Sequence, residues 1–306
     1  MMDKQYVDTV RLLLETAPVI FQSSDFALKG GTAINLFVRD MPRLSVDLDV
    51  VFTNRSLGRE EALSEISRKL QDCVEQLQSV GIKAEPIRTR SGDEVKILAQ
   101  RANNLVKIEV NFVFRGTVLP AATRRLSNLA RDLFTTDLVL PALDEAELYG
   151  SKLVAALDRQ HPRDFFDVLG LFQHEGLTPM IVECFVCYLA GHNRPIHEVL
   201  FSRDIDLAIS YDNEFLGMTK EEVALSDLIA ARARIRTELP SSLTDSHKHF
   251  LLSLAAGKPD WSLMSCPHLQ EMPAIRWKVE NLAKLKRINP EKFLLQSEEL
   301  MKRLDG

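Results

Sequence analysis

The sequence has no long apolar run, few cysteines and no excess of positive charge. No stretch approaches the roughly 20 apolar residues that a membrane-spanning helix requires, so we expect no membrane association. Four cysteines in 306 residues are too few for a disulfide framework. The first residues, MMDKQYVDTV, carry acids and no apolar core, which is not the pattern of a secretory signal. These absences predict a protein of the reducing cytoplasm.

The balance of charge excludes one more class of protein. The chain carries 38 Lys and Arg residues against 43 Asp and Glu residues, a formal net charge of −5. A protein that coats nucleic acid through its overall charge would be strongly basic. Any polyanion must therefore be bound by a local patch. Arg276, Lys278 and residues 284–287 are the candidates, although such a stretch is more often a solvated helix face.

The first 120 residues mix strand and helix patterns. Apolar and polar residues alternate over 44–52 and 105–114, which indicates two strands. Apolar residues at helical spacing predict three helices, over residues 3–16, 33–37 and 59–79. Three further short strands are predicted at 26–28, 82–89 and 94–100, the last two around the turn Ser91-Gly92-Asp93.

The rest of the chain has the pattern of successive helices. Asp144 and Glu147 have the spacing of a capping box, which predicts a helix from Glu145 to about Arg159. Pro and Gly residues interrupt the later apolar pattern at intervals, and each interruption predicts a helix end. We therefore predict an α+β protein, with a mixed α/β domain over residues 1–120 and a mainly helical domain over 121–306.

A pair of glycines follows the first predicted strand. Lys29-Gly30-Gly31-Thr32 lies between that strand and the helix predicted at 33–37. Paired glycines let the backbone approach a phosphate closely, and a helix N-terminus offers free N–H donors to it. A Gly-Gly pair alone is more often a simple turn. The pair is a candidate phosphate site only if other residues support it.

Three carboxylates supply that support. Asp47 and Asp49 lie two apart on a predicted strand, so both project from one face, about 6–7 Å apart. Glu109 lies on the polar face of a later strand. Two acids on one face repel unless a cation lies between them, and Mg²⁺ prefers oxygen ligands together with substrate phosphates. Taken singly, each acid is better explained as part of a solvated strand face or of a surface ion pair.

Together these residues resemble a known signature. Gly30-Gly31-Thr32-Ala33 followed by Arg43-Leu-Ser45-Val-Asp47-Leu-Asp49 resembles the motifs of the DNA polymerase β-like nucleotidyltransferase superfamily. Lys152, Arg159 and the later segment Arg163-Asp164-Phe-Phe-Asp167 extend the resemblance to the AbiEii/AbiGii-type nucleotidyltransferase toxins. It covers roughly residues 25–175. It implies a polymerase β-like domain, a mixed sheet flanked by helices, followed by a mainly helical domain.

The resemblance implies a role for each matching residue. The nucleoside triphosphate (NTP) would be bound by Lys29, Gly30, Gly31, Thr32, Ser45, Arg159 and Arg163. Two Mg²⁺ ions would be bound by Asp47 and Asp49. The helical domain would contribute Lys152 and either Asp164 or Asp167 to the site. Glu109 would be the base for the attacking hydroxyl, or would only orient Lys107. Ser45 also lies where some family members are phosphorylated.

The same resemblance implies a function. The enzyme would transfer a nucleoside monophosphate from an NTP to an acceptor hydroxyl, and would be the toxin of a bacterial toxin–antitoxin and phage abortive-infection system. The implied acceptor is the 3′ end of tRNA, so that translation stops, and the implied partner is an AbiEi-like antitoxin. Two alternatives remain: an acceptor on a protein or a small molecule, and a non-catalytic binding module on the same scaffold.

Two cysteines and two histidines of the predicted helical domain are candidate zinc ligands, but their spacing and surroundings argue against a zinc site. Cys184 and Cys187 are followed by His192 and His197. The spacing between Cys187 and His192 does not match common zinc-finger patterns. The surrounding stretch is apolar, so we interpret both cysteines as buried core residues.

Overall fold

The computed structural model describes residues 3–88 and 94–305, and the predicted turn Ser91-Gly92-Asp93 lies outside them. The chain forms two compact units. The first comprises Met1–Leu148 and Phe215–Val223, and the second comprises Tyr149–Glu214 and Ala224–Gly306. Among the described residues, no helix is long and apolar enough to cross a bilayer.

A seven-stranded mixed sheet is the centre of the first unit. Its strands are β1 (Phe26–Lys29), β2 (Asp47–Phe52), β3 (Lys83–Arg88), β4 (Glu94–Arg101), β5 (Asn104–Asn111), β6 (Ala122–Arg125) and β7 (Val139–Ala142). They are arranged in the order β3-β4-β5-β2-β1-β7-β6. β2 is parallel to β5 and antiparallel to β1, and β1 is parallel to β7. The predicted α+β class, with a mixed sheet flanked by helices, is confirmed.

The helices predicted over residues 3–16, 33–37 and 59–79 are present, and the structure adds a short helix over 128–134 that the prediction did not include. The helices of the first unit are α1 (Lys4–Ile20), α2 (Gly30–Thr32) with the π-helix Ala33–Val38 directly after it, α3 (Arg59–Ser79) and α4 (Asn128–Phe134). α1 extends beyond the predicted end at residue 16 because Ala17 and Ile20 continue its buried face. The same face includes Val10, Leu13 and Leu14, which are also buried.

The strand predicted over residues 44–52 begins three residues late, at Asp47. The backbone before it pairs with a distant segment instead of the sheet. Leu44 N donates to Met218 O at 2.7 Å, and Lys220 N donates to Pro42 O at 3.0 Å. This pairing explains why Phe215–Val223 belongs to the first unit.

The strand predicted over residues 105–114 ends early, at Asn111. The side chain of Asn111 accepts hydrogen bonds from Val113 N at 3.0 Å and Phe114 N at 2.9 Å, so the chain turns there. Its apolar face is as predicted, since Val106, Ile108, Val110 and Phe112 are all buried.

The two compact units divide the chain later than the predicted boundary near residue 120. Residues 121–148 belong with the first unit. β6 pairs with β7, and β7 pairs with β1, so both strands extend the sheet. Two short strands with mixed burial carry little sequence signal, and the prediction did not include them.

The regular structure described in the second unit is entirely helical, as predicted. Its helices are α5 (Glu145–Arg159, which starts in the first unit), α6 (Pro162–Gln173), α7 (Pro179–Ala190), α8 (Ile196–Leu200), α9 (Ala208–Glu214), α10 (Leu225–Ser241), α11 (Asp245–Ala255), α12 (Pro273–Ile288) and α13 (Pro290–Asp305). Two 3₁₀ turns, Trp261–Leu263 and Leu269–Glu271, precede α12. Nearly all of α7 is buried, and Cys184 and Cys187 are buried core residues in it, as interpreted from the sequence.

Candidate functional site

The glycine pair lies where the chain leaves β1 and turns into α2. Gly30 has φ +73°, and a Cβ at this position would lie 2.0 Å from Asp49 Oδ2. At Gly31 a Cβ would lie 2.6 Å from Arg43 Nη2 and 3.1 Å from Ser45 Oγ. A side chain at either glycine would therefore collide with Asp49 on β2 or with the segment that precedes β2. The pair therefore brings the start of α2 against Asp49, Arg43 and Ser45.

Thr32 ties this turn to the acidic strand. Its side chain is fully buried, and Oγ1 donates to Asp47 O at 2.5 Å. The Thr32 and Ser45 hydroxyl oxygens are 3.0 Å apart and share a hydrogen bond. Ser45 is also buried, so phosphorylation of its hydroxyl would require this pair to separate. Both hydroxyls hold the turn in place, and their contact with a nucleotide stays a prediction.

Asp47 and Asp49 share the face of β2 that the sequence predicts. Both are half-buried, and Leu48 and Val50 between and beyond them are fully buried on the other face. The Asp49 carboxylate has no hydrogen-bond or ion-pair partner among residues 3–88 and 94–305. Carboxylate oxygens are the ligands that Mg²⁺ prefers, so the two side chains fit a divalent metal ion.

Glu109 lies beside Asp49 in the sheet but has an ionic partner of its own. β2 and β5 are parallel, and Asp49 and Glu109 are Cα partners in their register. Lys96 Nζ lies 2.8 Å from Glu109 Oε1. The predicted alternative pairing with Lys107 is wrong, because the β4–β5 register places Lys96 directly opposite Glu109. In the described part of the chain, no group of three or more His, Cys, Asp or Glu side chains could hold a metal ion.

Arg43 belongs to this site although the prediction did not assign it a role. Its side chain is 2% exposed, and Nη1 donates to Leu44 O at 2.9 Å. The absent side chain of Gly31 leaves room for its other guanidinium nitrogen, Nη2. The available signal was its position two residues before Ser45 within the matched motif. Charged side chains are seldom buried without a specific reason, so Arg43 supports the turn electrostatically or structurally.

A second cluster of charged side chains lies within the second unit. Lys152 Nζ, on α5, lies 3.0 Å from Asp164 Oδ1 and 2.9 Å from Asp167 Oδ2, both on α6. Arg159 donates to both oxygens of Asp164, from Nε at 2.6 Å and from Nη2 at 2.8 Å. Lys152 and both carboxylates are buried, whereas the Arg159 side chain is 59% exposed. Lys152 and Arg159 both contact Asp164, so they lie on one face of α5.

The two aspartates of this cluster are not equivalent. Both carboxylates form an ion pair with Lys152, but Asp164 also accepts two hydrogen bonds from the Arg159 guanidinium. Burial raises the pKa of the Asp164 carboxyl, but the charges of Lys152 and Arg159 and their hydrogen bonds outweigh burial, so the pKa lies well below its ordinary value. Arg163 is half-buried, and its N–H donates to His161 Nδ1 at the start of α6. A nucleotide-binding role for Arg163 stays a prediction.

Comparison with known protein families decides what these clusters belong to. The model of the family described as "Nucleotidyl transferase AbiEii toxin, Type IV TA system" matches residues 11–281, most of the chain. The chain belongs to the AbiEii nucleotidyltransferase toxin family. This AbiEii-family chain is therefore a nucleotidyltransferase of a toxin–antitoxin system, and the family implies an NTP substrate and a cognate antitoxin.

A solved structure supports the fold of this AbiEii-family toxin. The chain is similar to MenT4, a nucleotidyltransferase toxin from Mycobacterium tuberculosis H37Rv, with a TM-score of 0.62 and 17% sequence identity. The similarity covers 91% of this chain and 93% of MenT4. At this identity the likeness shows the fold alone. No curated protein matches the sequence.

Replacing Gly30 by alanine should impair this AbiEii-family toxin through local geometry. A non-glycine residue at φ +73° costs about 1–2 kcal/mol of stability. The new Cβ also displaces the Asp49 carboxylate, and a displacement of that kind should lower transfer about a hundredfold. Urea unfolding and transfer rates measure the two effects. Gly170→Ala, in α6 with open space around it, is the control and should not lower stability. Unchanged transfer in Gly30→Ala would contradict the proposed importance of this contact.

Proposed function

We propose that this toxin is a Mg²⁺-dependent nucleotidyltransferase that adds a nucleoside monophosphate to the 3′ end of tRNA. The addition would block translation, as expected of an abortive-infection toxin, and an AbiEi-like antitoxin would be the cognate partner. The observation that supports the chemistry best is the Asp47 and Asp49 pair beside Gly30. The two carboxylates share one strand face, and Asp49 has no partner among the described residues.

The first unit supplies the metal ligands and the phosphate-binding turn of this proposal. Asp47 and Asp49 would hold the Mg²⁺ ions, with the remaining ligands from the triphosphate and water. When bound, Mg²⁺ would supply positive charge that offsets the charge of the phosphates, and Asp47 and Asp49 would hold it beside the glycine turn. Lys29 and the N–H groups of Gly30 and Gly31 would contact the triphosphate, since free donors at a helix start favour anions.

In the second unit we assign the phosphate contact to Arg159 and a positioning role to Lys152. Arg159 is the exposed cation of its cluster, and its guanidinium is already oriented by Asp164. Lys152 is buried between Asp164 and Asp167, so it would have to leave two carboxylates to reach a phosphate. A buried ion pair is costly to separate, and this favours Lys152 as the residue that fixes the two helices around Asp164.

The acceptor can be identified directly. Purified protein is incubated with Mg²⁺, each of the four α-³²P-labelled NTPs in turn, and either total tRNA, total protein or a small-molecule extract. We expect label in tRNA that is removed by 3′ exonuclease. Label only in protein or in small molecules would contradict the tRNA acceptor while leaving the enzyme class intact. No transfer with any acceptor, in wild type and Asp47→Ala alike, would contradict the proposed activity.

A further inference from the structure

One face of α12, in the second unit, is exposed and combines an aromatic ring with cations. The opposite face is buried through Ala274, Ile275, Lys278 and Leu282. At 100° per residue, most of the exposed side chains of α12 fall on one broad stripe, whereas the exposed Lys286 lies outside it over the Phe293 ring. The stripe comprises Arg276, Trp277, Glu280, Asn281, Ala283, Lys284, Arg287 and Ile288. We call this stripe the α12 face.

Lys278, which the sequence groups with these cations, is not part of the α12 face. Its side chain is buried, and Nζ donates to His192 O at 2.9 Å and to Arg194 O at 2.6 Å. Burial lowers its pKa to about 8. Lys278 therefore holds the chain after α7, and its buried ammonium group is not exposed to a ligand. The basic stretch thus separates into one structural lysine and an exposed group of cations.

Trp277 is the aromatic residue of the α12 face. Its side chain is 51% exposed. The other tryptophan of the chain, Trp261, packs against the Phe250 ring with the centroids 5.9 Å apart. Burial of a large aromatic ring is favourable, so an exposed ring gains free energy when a ligand covers it. Trp277 is therefore suited to contact a ligand with an apolar or aromatic face.

The cations around Trp277 are available for a ligand. Arg276, Lys284 and Arg287 are exposed, and none of their side chains has an ion-pair or hydrogen-bond partner in the part of the chain that the structure describes. Glu280 is the one acid of α12. It lies four residues from Arg276 and from Lys284 without an ion pair to either among the described residues. The α12 face therefore presents three cations against one acid on a chain whose net charge is −5.

We propose that the α12 face binds single-stranded nucleic acid. A base would stack on Trp277, and phosphates would contact Arg276, Lys284 and Arg287. These positions span about 16 Å along the helix axis, the length of a few nucleotides. An aromatic ring beside cations fits a single-stranded nucleic acid, because its bases are accessible for stacking and its phosphates are negative. In a duplex the faces of the bases are stacked on one another, and an acidic protein has no bases to stack on Trp277. The identification of this nucleic acid as the acceptor of the transfer reaction rests on the proposed function. The binding of nucleic acid to the α12 face does not depend on it.

The test measures binding apart from transfer. The probe is a fluorescein-labelled oligoadenylate about a dozen nucleotides long, titrated with the full-length protein and followed by anisotropy. Trp277→Ala should weaken binding about fivefold or more, and Trp277→Phe should retain most of it because a ring remains. Lys284→Gln with Arg287→Gln should weaken binding and flatten its salt dependence, since each phosphate contact adds about 0.7 to the slope of log K against log salt. Lys4→Gln with Lys258→Gln removes the same charge elsewhere and is the control.

A stacked base should also quench the Trp277 fluorescence in a Trp261→Phe protein, which has no other tryptophan. Equal affinity of wild type, Trp277→Ala and the Lys284/Arg287 variant for oligoadenylate would overturn the proposal. So would equal binding of polyglutamate or of a duplex of the same length. If wild type transfers nothing to any acceptor but binds oligoadenylate through Trp277, the proposed function fails and this inference stands.

Discussion

Replacing Asp49 by asparagine should lower nucleotidyl transfer by about two to three orders of magnitude or more while the protein stays folded. The carboxylate is half-buried, has no partner among the described residues and contributes no core packing. Its loss removes a charge that would hold a metal ion and leaves an amide, which is a much weaker ligand for Mg²⁺. The measurement is the single-turnover rate of label transfer, with circular dichroism to show that the fold is retained.

Glu85→Gln is the matched control for this variant. Glu85 lies on β3 of the same sheet, and its ion pair with Lys83 is exposed on both sides, so the substitution removes one negative charge from the same unit without touching the glycine turn. Transfer by Glu85→Gln should equal that of wild type. An Asp49→Asn protein that keeps transfer within about tenfold of wild type would show that Asp49 is not a metal ligand. A Mg²⁺ titration adds a second readout, because the loss of a ligand should raise the Mg²⁺ concentration required for activity.

The local part of this site could be predicted from the sequence. A glycine pair after a strand and two acids at a spacing of two depend only on near neighbours, so Gly30, Gly31, Asp47 and Asp49 lie where the patterns place them. The family resemblance added the matched residues of the second unit. The strand boundaries near Leu44 differ because a segment more than 170 residues later pairs with the chain there, and no periodicity reports such a contact.

The ion-pair partners and the burial of the charged site residues could not be predicted either, because they also depend on contacts between segments that are distant in the sequence. Glu109 pairs with Lys96 because the β4–β5 register places the two residues opposite each other. A pattern of apolar residues shows which side chains share a face of a strand, but it does not show which residue of the neighbouring strand lies opposite. The buried state of Lys152 follows from how α6 packs against α5, and sequence spacing could only suggest that Lys152 and Arg159 share a helix face. Arg43 belongs to the matched motif, but no pattern in the sequence indicates that its side chain is fully buried.

Replacing Asp164 by asparagine should lower the free energy of unfolding by about 3–5 kcal/mol. Asp164 is fully buried and binds both Lys152 and Arg159, so its loss leaves a buried lysine with one carboxylate for compensation. Both tryptophans lie in the second unit, so urea unfolding followed by their fluorescence reports on the relevant part of the chain. Glu238→Gln, which removes an exposed pair with Arg234 in the same unit, is the control and should cost less than about 1 kcal/mol. Equal losses in the two variants would contradict a stabilising role for the buried network.

The same variant should change how stability responds to acid. The pKa of Asp164 is lowered in the folded protein, because Lys152 and Arg159 outweigh the effect of burial, whereas an unfolded aspartate has a pKa of about 4. Folding therefore favours the ionised carboxylate. Its contribution is complete above about pH 4 and is lost as the pH falls from there toward the lower folded pKa. The gap in unfolding free energy between wild type and Asp164→Asn should be constant from neutral pH to about pH 5 and should narrow below about pH 4. A gap that stays constant into acid would mean that Asp164 stabilises the fold through packing or neutral hydrogen bonds, and its charge would then have no part in holding Lys152 and Arg159.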